Sequence, residues 1–358
     1  MFLEKDGRDK FQFSRVDDLE AWRNEGKATE GAILANRATA SEWNFAVGKS
    51  AALLERLTNT RPKLGQVASR IYQGPITSAD TVYLFEQSRT GKRRGTVEVF
   101  SRELQDWVAL ERDILKPVVR SGDIGRYAAT PSVSALFPYE VRDSSARLLT
   151  PDEMKRSWTL GWDYLNRNKK LLQDREGGKF RDSEWYRYGR TQNLGMWEQP
   201  KLMVPYMTTR LAAYLDRGDG FYFINVTTGG YGLTVDDRSV QLPYLCALLN
   251  SRLLDFCFRH VSTTFHGGYF AANKQFIEQL PIRTINLPGP ADKARHDKMP
   301  ALVERMLELN KKKYSDKLAP SELDHTESEI AATDLEIDSL VYELYGITDE
   351  ERRIVEGA

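Results

Sequence analysis

The stretch LPYLCALLNSRLLDFCFRHV, residues 242–261, constrains the fold more than any other part of the chain. It reads as one long, strongly apolar helix, and a helix apolar on most of its faces needs burial. The remaining residues must therefore build a core around it. No apolar run approaches the roughly 18–20 residues of a membrane span, so no membrane is expected. Cys246 and Cys257 both fall in this helix, about 16 Å apart along its axis, too far for a disulfide. They read as core thiols of a reducing compartment.

Upstream, FLEKDGRDKFQFSRV suggests a strand pair and WNFAVGKSAALLERL an amphipathic helix ending before Pro62. The opening MFLEKDGRDKFQF lacks an apolar signal core, which argues for a cytoplasmic protein. From Lys63 the text turns β-rich. TVYLFEQ and TVEVFS read as strands flanking a hairpin tip at KRRG, 92–95. LERDILKPVV predicts a helix halted at Pro117, followed by a basic turn around Gly122; VSALFPYE predicts a strand. TPDEMKRSWTLGWDYLNRNKKLLQDRE predicts a helix, with Thr150 as N-cap, Pro151 at the first helical position and Glu153 closing a capping box. KLMVPYM, GFYFINVTT and YGLTV predict strands, and FIEQLPI a closing one before the boundary at INLPGP. Two tail segments place Leu302, Met306 and Leu309, then Ile330, Ile337, Leu340 and Leu344, at helical spacing around Pro320. They predict an antiparallel helical hairpin.

These signals divide the chain into a lead-in over 1–62, a body over 63–295 and a hairpin over 296–358. The expected class is α+β: a twisted, mostly antiparallel sheet with helices packed on it, then the hairpin. The formal charge is zero, but residues 301–358 carry 15 acidic and 7 basic side chains, which leaves the rest with 44 basic against 36 acidic. A basic body thus carries an acidic tail.

Catalytic signatures are missing from the text. There is no GxGxxG after a strand, no P-loop and no GxSxG elbow. TTGGYG at 227–232 reads as a hairpin turn, NVT at 225–227 as a strand, and PDEMK at 151–155 as a helix start. His260, His266, His296 and His325 share no metal-ligand spacing with one another or with the cysteines.

Binding chemistry, by contrast, is concentrated. Residues 166–190, NRNKKLLQDREGGKFRDSEWYRYGR, hold eight basic and four acidic side chains and end in three rings. Lys169 and Lys170 suit phosphate; Arg187, Arg190 and Gln192 suit base edges, since arginine's fork matches guanine and glutamine matches adenine. Trp185 and Tyr186 would stack on a base or brace the arginines. The competing reading makes these rings core and pairs the arginines with Asp182 or Glu184. Further clusters supply Arg93 and Arg94, Arg120 and Arg126, and, in STTFHGGYFAANKQF, His266 and Lys274.

The order of these phrases resembles the C-terminal target-recognition domain of TaqI-like and related type II, including type IIG-like, adenine-specific DNA methyltransferases and fused restriction-modification enzymes. It runs through IYQGPITSADTVYLF, with Thr77 before its strand, then FPYE, YLNRNKKLLQDR, WYRYGRTQN, PKLMVPYM, YLCALLNSRLLDFCF, FIEQLPI and EIDSLVYELYGITDEE, covering roughly 63–355. The resemblance implies a chain that reads double-stranded DNA and places an adenine in a methyltransferase domain or subunit. Lacking an Asn/Asp-Pro-Pro-Tyr element, this chain would leave S-adenosylmethionine to that partner. The alternatives are a degenerate or protein-interaction remnant and a cryptic nuclease.

Overall fold

The computed structural model describes residues 9–16, 18–35, 50–218, 220–225, 229–236, 240–284, 290–315 and 318–357. The first eight residues, the 43–49 half of the expected amphipathic helix, Val226 and Thr227 of the NVT pattern, the INLPG boundary and the His296 side chain lie outside that description.

The protein is α+β with antiparallel sheets. At its centre stands a four-stranded sheet in the order Tyr214–Asp216, Lys201–Pro205, Gly230–Thr234, Arg70–Gln73. Every neighbouring pair is antiparallel, with Leu202 opposite Leu215 and Leu233, and Leu233 opposite Ile71. Side chains alternate across a strand, so a strand apolar at successive positions must be covered on both faces. KLMVP is such a strand, buried at all five positions.

Its two faces meet different cores. Leu202, Val204, Leu215 and Leu233 join one core with Leu53, Leu54 and Leu57 of the Ser50–Asn59 helix, the 242–261 region and the C-terminal hairpin. Met203 and Tyr72 join a second core, built mainly from residues 79–224. The sheet is a wall shared by both.

The apolar 242–261 stretch is buried as its composition demands, but as two helices, Leu242–Asn250 and Arg252–Val261. Ser251 breaks them with an extended backbone and caps the second, its hydroxyl accepting from the Leu254 amide. The cysteines therefore do not share one axis; both are free and buried.

Thr150 and Glu153 close the expected capping box: Glu153 accepts from the Thr150 amide at 2.7 Å, and Thr150 Oγ1 from the Glu153 amide at 3.3 Å. The helix beyond is three pieces, Pro151–Ser157, Thr159–Arg167 and Lys169–Gly178, bent at Trp158 and Asn168.

Four local expectations give way, the first at GFYFINVTT, whose described residues form no strand and only a parallel bridge from Tyr222 to Val118. LERDILKPVV is strand, 3-10 turn and strand, because Leu115–Val118 pairs with Val133–Leu136 and the proline lies where β-structure tolerates it better than a helix would. TVYLFEQ begins as a helical turn, Asp80–Tyr83, before a short strand at Leu84–Phe85. FIEQLPI is a helical turn, Lys274–Ile277, followed by a bridge from Pro281 to Lys63.

The helices Pro290–Lys313 and Pro320–Tyr345 form the hairpin. Ion pairs Arg295–Glu343, Lys298–Glu336, Arg305–Glu329 and Lys313–Glu327 run in opposite directions along the two helices, which fixes them as antiparallel. Among the described residues no helix is long and apolar enough to cross a membrane.

Candidate nucleic-acid interface

The EWYRYGR segment sorts its side chains by face. Trp185, Tyr186 and Tyr188 are 4%, 1% and 1% exposed and belong to the second core, while Arg190 stands exposed beside them. The Tyr186 hydroxyl donates to the Leu149 carbonyl at 2.5 Å and that of Tyr188 to the Leu136 carbonyl at 2.7 Å. Trp162 packs edge-on to Tyr186 at 5.2 Å. Trp185 and Tyr186 are thus corrected from DNA contacts to core residues. Rings of this size contribute most when fully desolvated, and both tyrosine hydroxyls have found carbonyls.

Arg175 holds the segment in place from within. Its buried guanidinium donates to the carbonyls of Thr77 at 2.7 Å, Trp185 at 2.7 Å and Arg187 at 2.9 Å, and its Nε to Leu172 at 2.8 Å. Burial pulls its pKa down, and the ring of carbonyls offsets that desolvation. Both Arg175 and Arg187 lie over the Phe180 ring, at 4.1 and 4.7 Å. The backbone of Arg190 exchanges hydrogen bonds with Ile76 at 2.9 and 3.0 Å, and Gly189 donates to Thr77. A Cβ on Gly189 would stand 1.9 Å from Ser78 Oγ, so only glycine admits this approach.

Thr77 itself is a second correction. It is fully buried; its hydroxyl donates to the Asp80 carboxylate and accepts from the Ala79 amide at 3.1 Å, turning the chain into the Asp80–Tyr83 helical turn. Arg126 is a third. Its guanidinium is committed to Asp334 of the hairpin and to the Asn250 carbonyl, a half-buried junction between body and hairpin.

The remaining candidates reach the surface. Arg93 and Arg94 are exposed between the strands Ser88–Thr90 and Thr96–Ser101, the hairpin tip the sequence predicts, and Lys169 lies over the Trp185 ring at 5.3 Å, with Lys170 exposed beside it. Arg120 pairs with Glu86 at 2.6 Å, and that hydrogen bond holds the carboxyl below its usual range. Arg187 pairs with Asp182 at 2.7 Å and lowers that carboxyl likewise. The Gln192 amide donates to the Gly74 carbonyl at 3.2 Å.

Two concavities adjoin here, the first bordered by Arg187. One, of about 440 Å³, is lined by Arg70, Ser144, Glu184, Arg187, Thr191 and Asn193 among others. The other, of about 370 Å³, is lined by Ser69, Arg70, Asn193, Lys274 and Glu278 among others. Arg70 and Asn193 border both, joining Arg187 to Lys274 along one trough. The sequence reading overlooked Arg70 and Asn193. Arg70 begins the edge strand of the central sheet, and Asn193 holds a left-handed backbone with its amide on the Gln73 carbonyl at 3.0 Å. The signal was present in the Gln-Asn pair after WYRYGR, since asparagine tolerates that conformation.

Residues 149–282 match the family described as the TaqI-like C-terminal specificity domain, and the chain carries a domain of that family there. Across its whole length the chain is similar to the type II restriction enzyme and methyltransferase RM.Eco57I of Escherichia coli, 24% identical over 372 residues. That similarity takes in 99% of this chain but only 36% of the relative, so the chain spans about a third of that protein.

Proposed function

We propose that this chain is the DNA-reading part of a restriction-modification system. It grips double-stranded DNA along the trough from Arg187 to Lys274 and presents a target adenine to a methyltransferase domain or subunit. That partner binds S-adenosylmethionine; this chain contributes orientation and sequence choice. It acts in the cytoplasm.

The observation that carries this reading is the specificity-domain segment whose rings face inward while Arg187, Arg190, Thr191 and Asn193 border or flank a surface trough. Guanidinium forks and hydroxyls held on such a braced backbone suit base edges and phosphates. Bracing by Arg175 and Phe180 limits the motion lost on docking, which favours affinity. The acidic hairpin, repelled by phosphate, serves as spacer or partner dock instead.

Selection of bound duplexes from a random pool, followed by titrations across salt, tests the proposal. Enrichment of a defined site and an affinity falling steeply with salt are expected. Arg190→Ala and Lys274→Ala should each weaken binding, and a variant that loses a phosphate contact should reduce the salt slope by about one. Undetectable binding at about 50 mM salt would overturn it.

A further inference from the structure

Between the second apolar helix and the Lys274 turn the chain rises into a narrow projection. Phe270 and Ala271 pair with Thr208 and Met207, and Thr264 bridges Phe270. Above that root, the Phe265 amide donates to the Tyr269 carbonyl at 2.7 Å. Gly267 and Gly268 both hold left-handed backbone, at φ +76° and +75°, which turns the chain within two residues. The root is anchored: the Ala271 amide donates to Thr263 at 3.1 Å, the Ser262 hydroxyl to Ala271 at 2.8 Å, and Arg259 lies over the Phe270 ring at 5.1 Å.

The tip, however, is bare. Phe265 and Tyr269 are each 45% exposed, on a stalk where neither ring helps to fill a core. Large exposed rings at the end of a rigid root mark contact surfaces. The surroundings say what is contacted. From Phe256 to Ile277 there is no acidic residue, while His260, His266 and Lys274 are basic and Arg259 is paired with Asp255. Glu278 shares the concavity with Lys274, and the paired segment from Lys201 to Leu215 is free of acids. The strand then leads through Asn273 to Lys274, which lines the trough.

We propose that Phe265 and Tyr269 form a wedge that enters the base stack of bound DNA at the Lys274 end of the trough. An apolar side chain inserted between base steps pays for unstacking with ring–base contact and a bent duplex. This inference rests on the proposed DNA-reading function. Unstacking is cheapest where a base is missing or mispaired.

The test uses the full chain and two short duplexes of mixed sequence, one intact and one with a central abasic site. The wild-type chain should bind the abasic duplex at least about tenfold tighter. Phe265→Ala/Tyr269→Ala should abolish that preference while keeping the salt slope of intact-duplex binding, and Phe265→Trp/Tyr269→Phe should retain it. Intact-duplex binding without a preference in the wild type, or a preference surviving in the alanine variant, overturns the wedge and leaves DNA reading in place. No binding to either duplex overturns both.

Discussion

The guanidinium of Arg126 closes on both carboxylate oxygens of Asp334, 208 residues further along the chain, with Nη1 2.9 Å from Oδ2. The same arginine donates to the Asn250 carbonyl at 3.0 Å, and Asp338, one turn beyond Asp334, accepts from the Arg252 amide at 2.8 Å. The hairpin is thus fastened to the body by charge as well as by Ile337 and Val341. The pair is half-buried, so its loss is only partly relieved by water, and Arg126→Ala should cost about 1–3 kcal/mol in urea unfolding. DNA affinity of the folded variant should change little. Unaltered stability with lost DNA affinity would return Arg126 to the DNA face.

The inward rings of the EWYRYGR segment make a second prediction. Trp185→Ala should cost about 3–5 kcal/mol, as a large core deletion does. Tyr188→Phe should cost about 1–2 kcal/mol, since it leaves the Leu136 carbonyl without its donor. Below the unfolding midpoint both should keep the salt dependence of DNA binding; a selective loss of affinity with intact stability would place these rings at the DNA.

Lys201 and Asp216 sit opposite each other at one end of the central sheet, both fully buried and ion-paired. Burial pulls the Lys201 pKa down, and the Asp216 carboxylate opposes that shift. Lys201→Met should cost about 3–5 kcal/mol because the buried Asp216 carboxylate loses its counter-charge, while Lys201→Met/Asp216→Leu should recover much of it. Thermal unfolding of the three proteins reads the coupling; equal losses in single and double variants would refute it.

Burial pushes the thiols of Cys246 and Cys257 up to about 12. The thiolate is the reactive form, so iodoacetamide at about pH 8 should label neither until the chain is unfolded. The sign for stability follows. The fold favours the protonated thiols, whereas the unfolded chain begins to ionise near 8.5, so these groups lower stability as pH rises from about 8.5 towards 12. Rapid labelling of the native protein would contradict the burial of both helices.

How much of this was legible beforehand depended on how local the cause was. The Thr150–Glu153 capping box, the basic tip at Arg93 and Arg94 and the paired tail helices follow from short-range signals and appear as expected. LERDILKPVV misled because its helix propensity was overridden by a strand partner, Val133–Leu136, that nothing nearby announces. Within EWYRYGR the composition identified the segment but not its orientation. Which side chains face inward was decided by Arg175 and by the close approach of residues 76–78, both distant from the segment or hidden in a charge run. The trough itself depends on Arg70 and Asn193 bordering the same concavities, although 123 positions separate them in the chain, which no window of sequence can show.

That sheet also limits how such a protein could be recombined. Its edge strand, Arg70–Gln73, precedes the family-matched segment, and its other three strands lie within it. A graft of residues 149–282 alone would expose the open side of Gly230–Thr234 and strip Leu53, Leu57, Val303 and Ile337 from one face of the wall. Exchange of specificity between relatives should therefore succeed with crossovers placed before Ser50 and after Tyr345, and fail when they are placed at the borders of the recognisable domain. The heritable unit is larger than the module that similarity picks out.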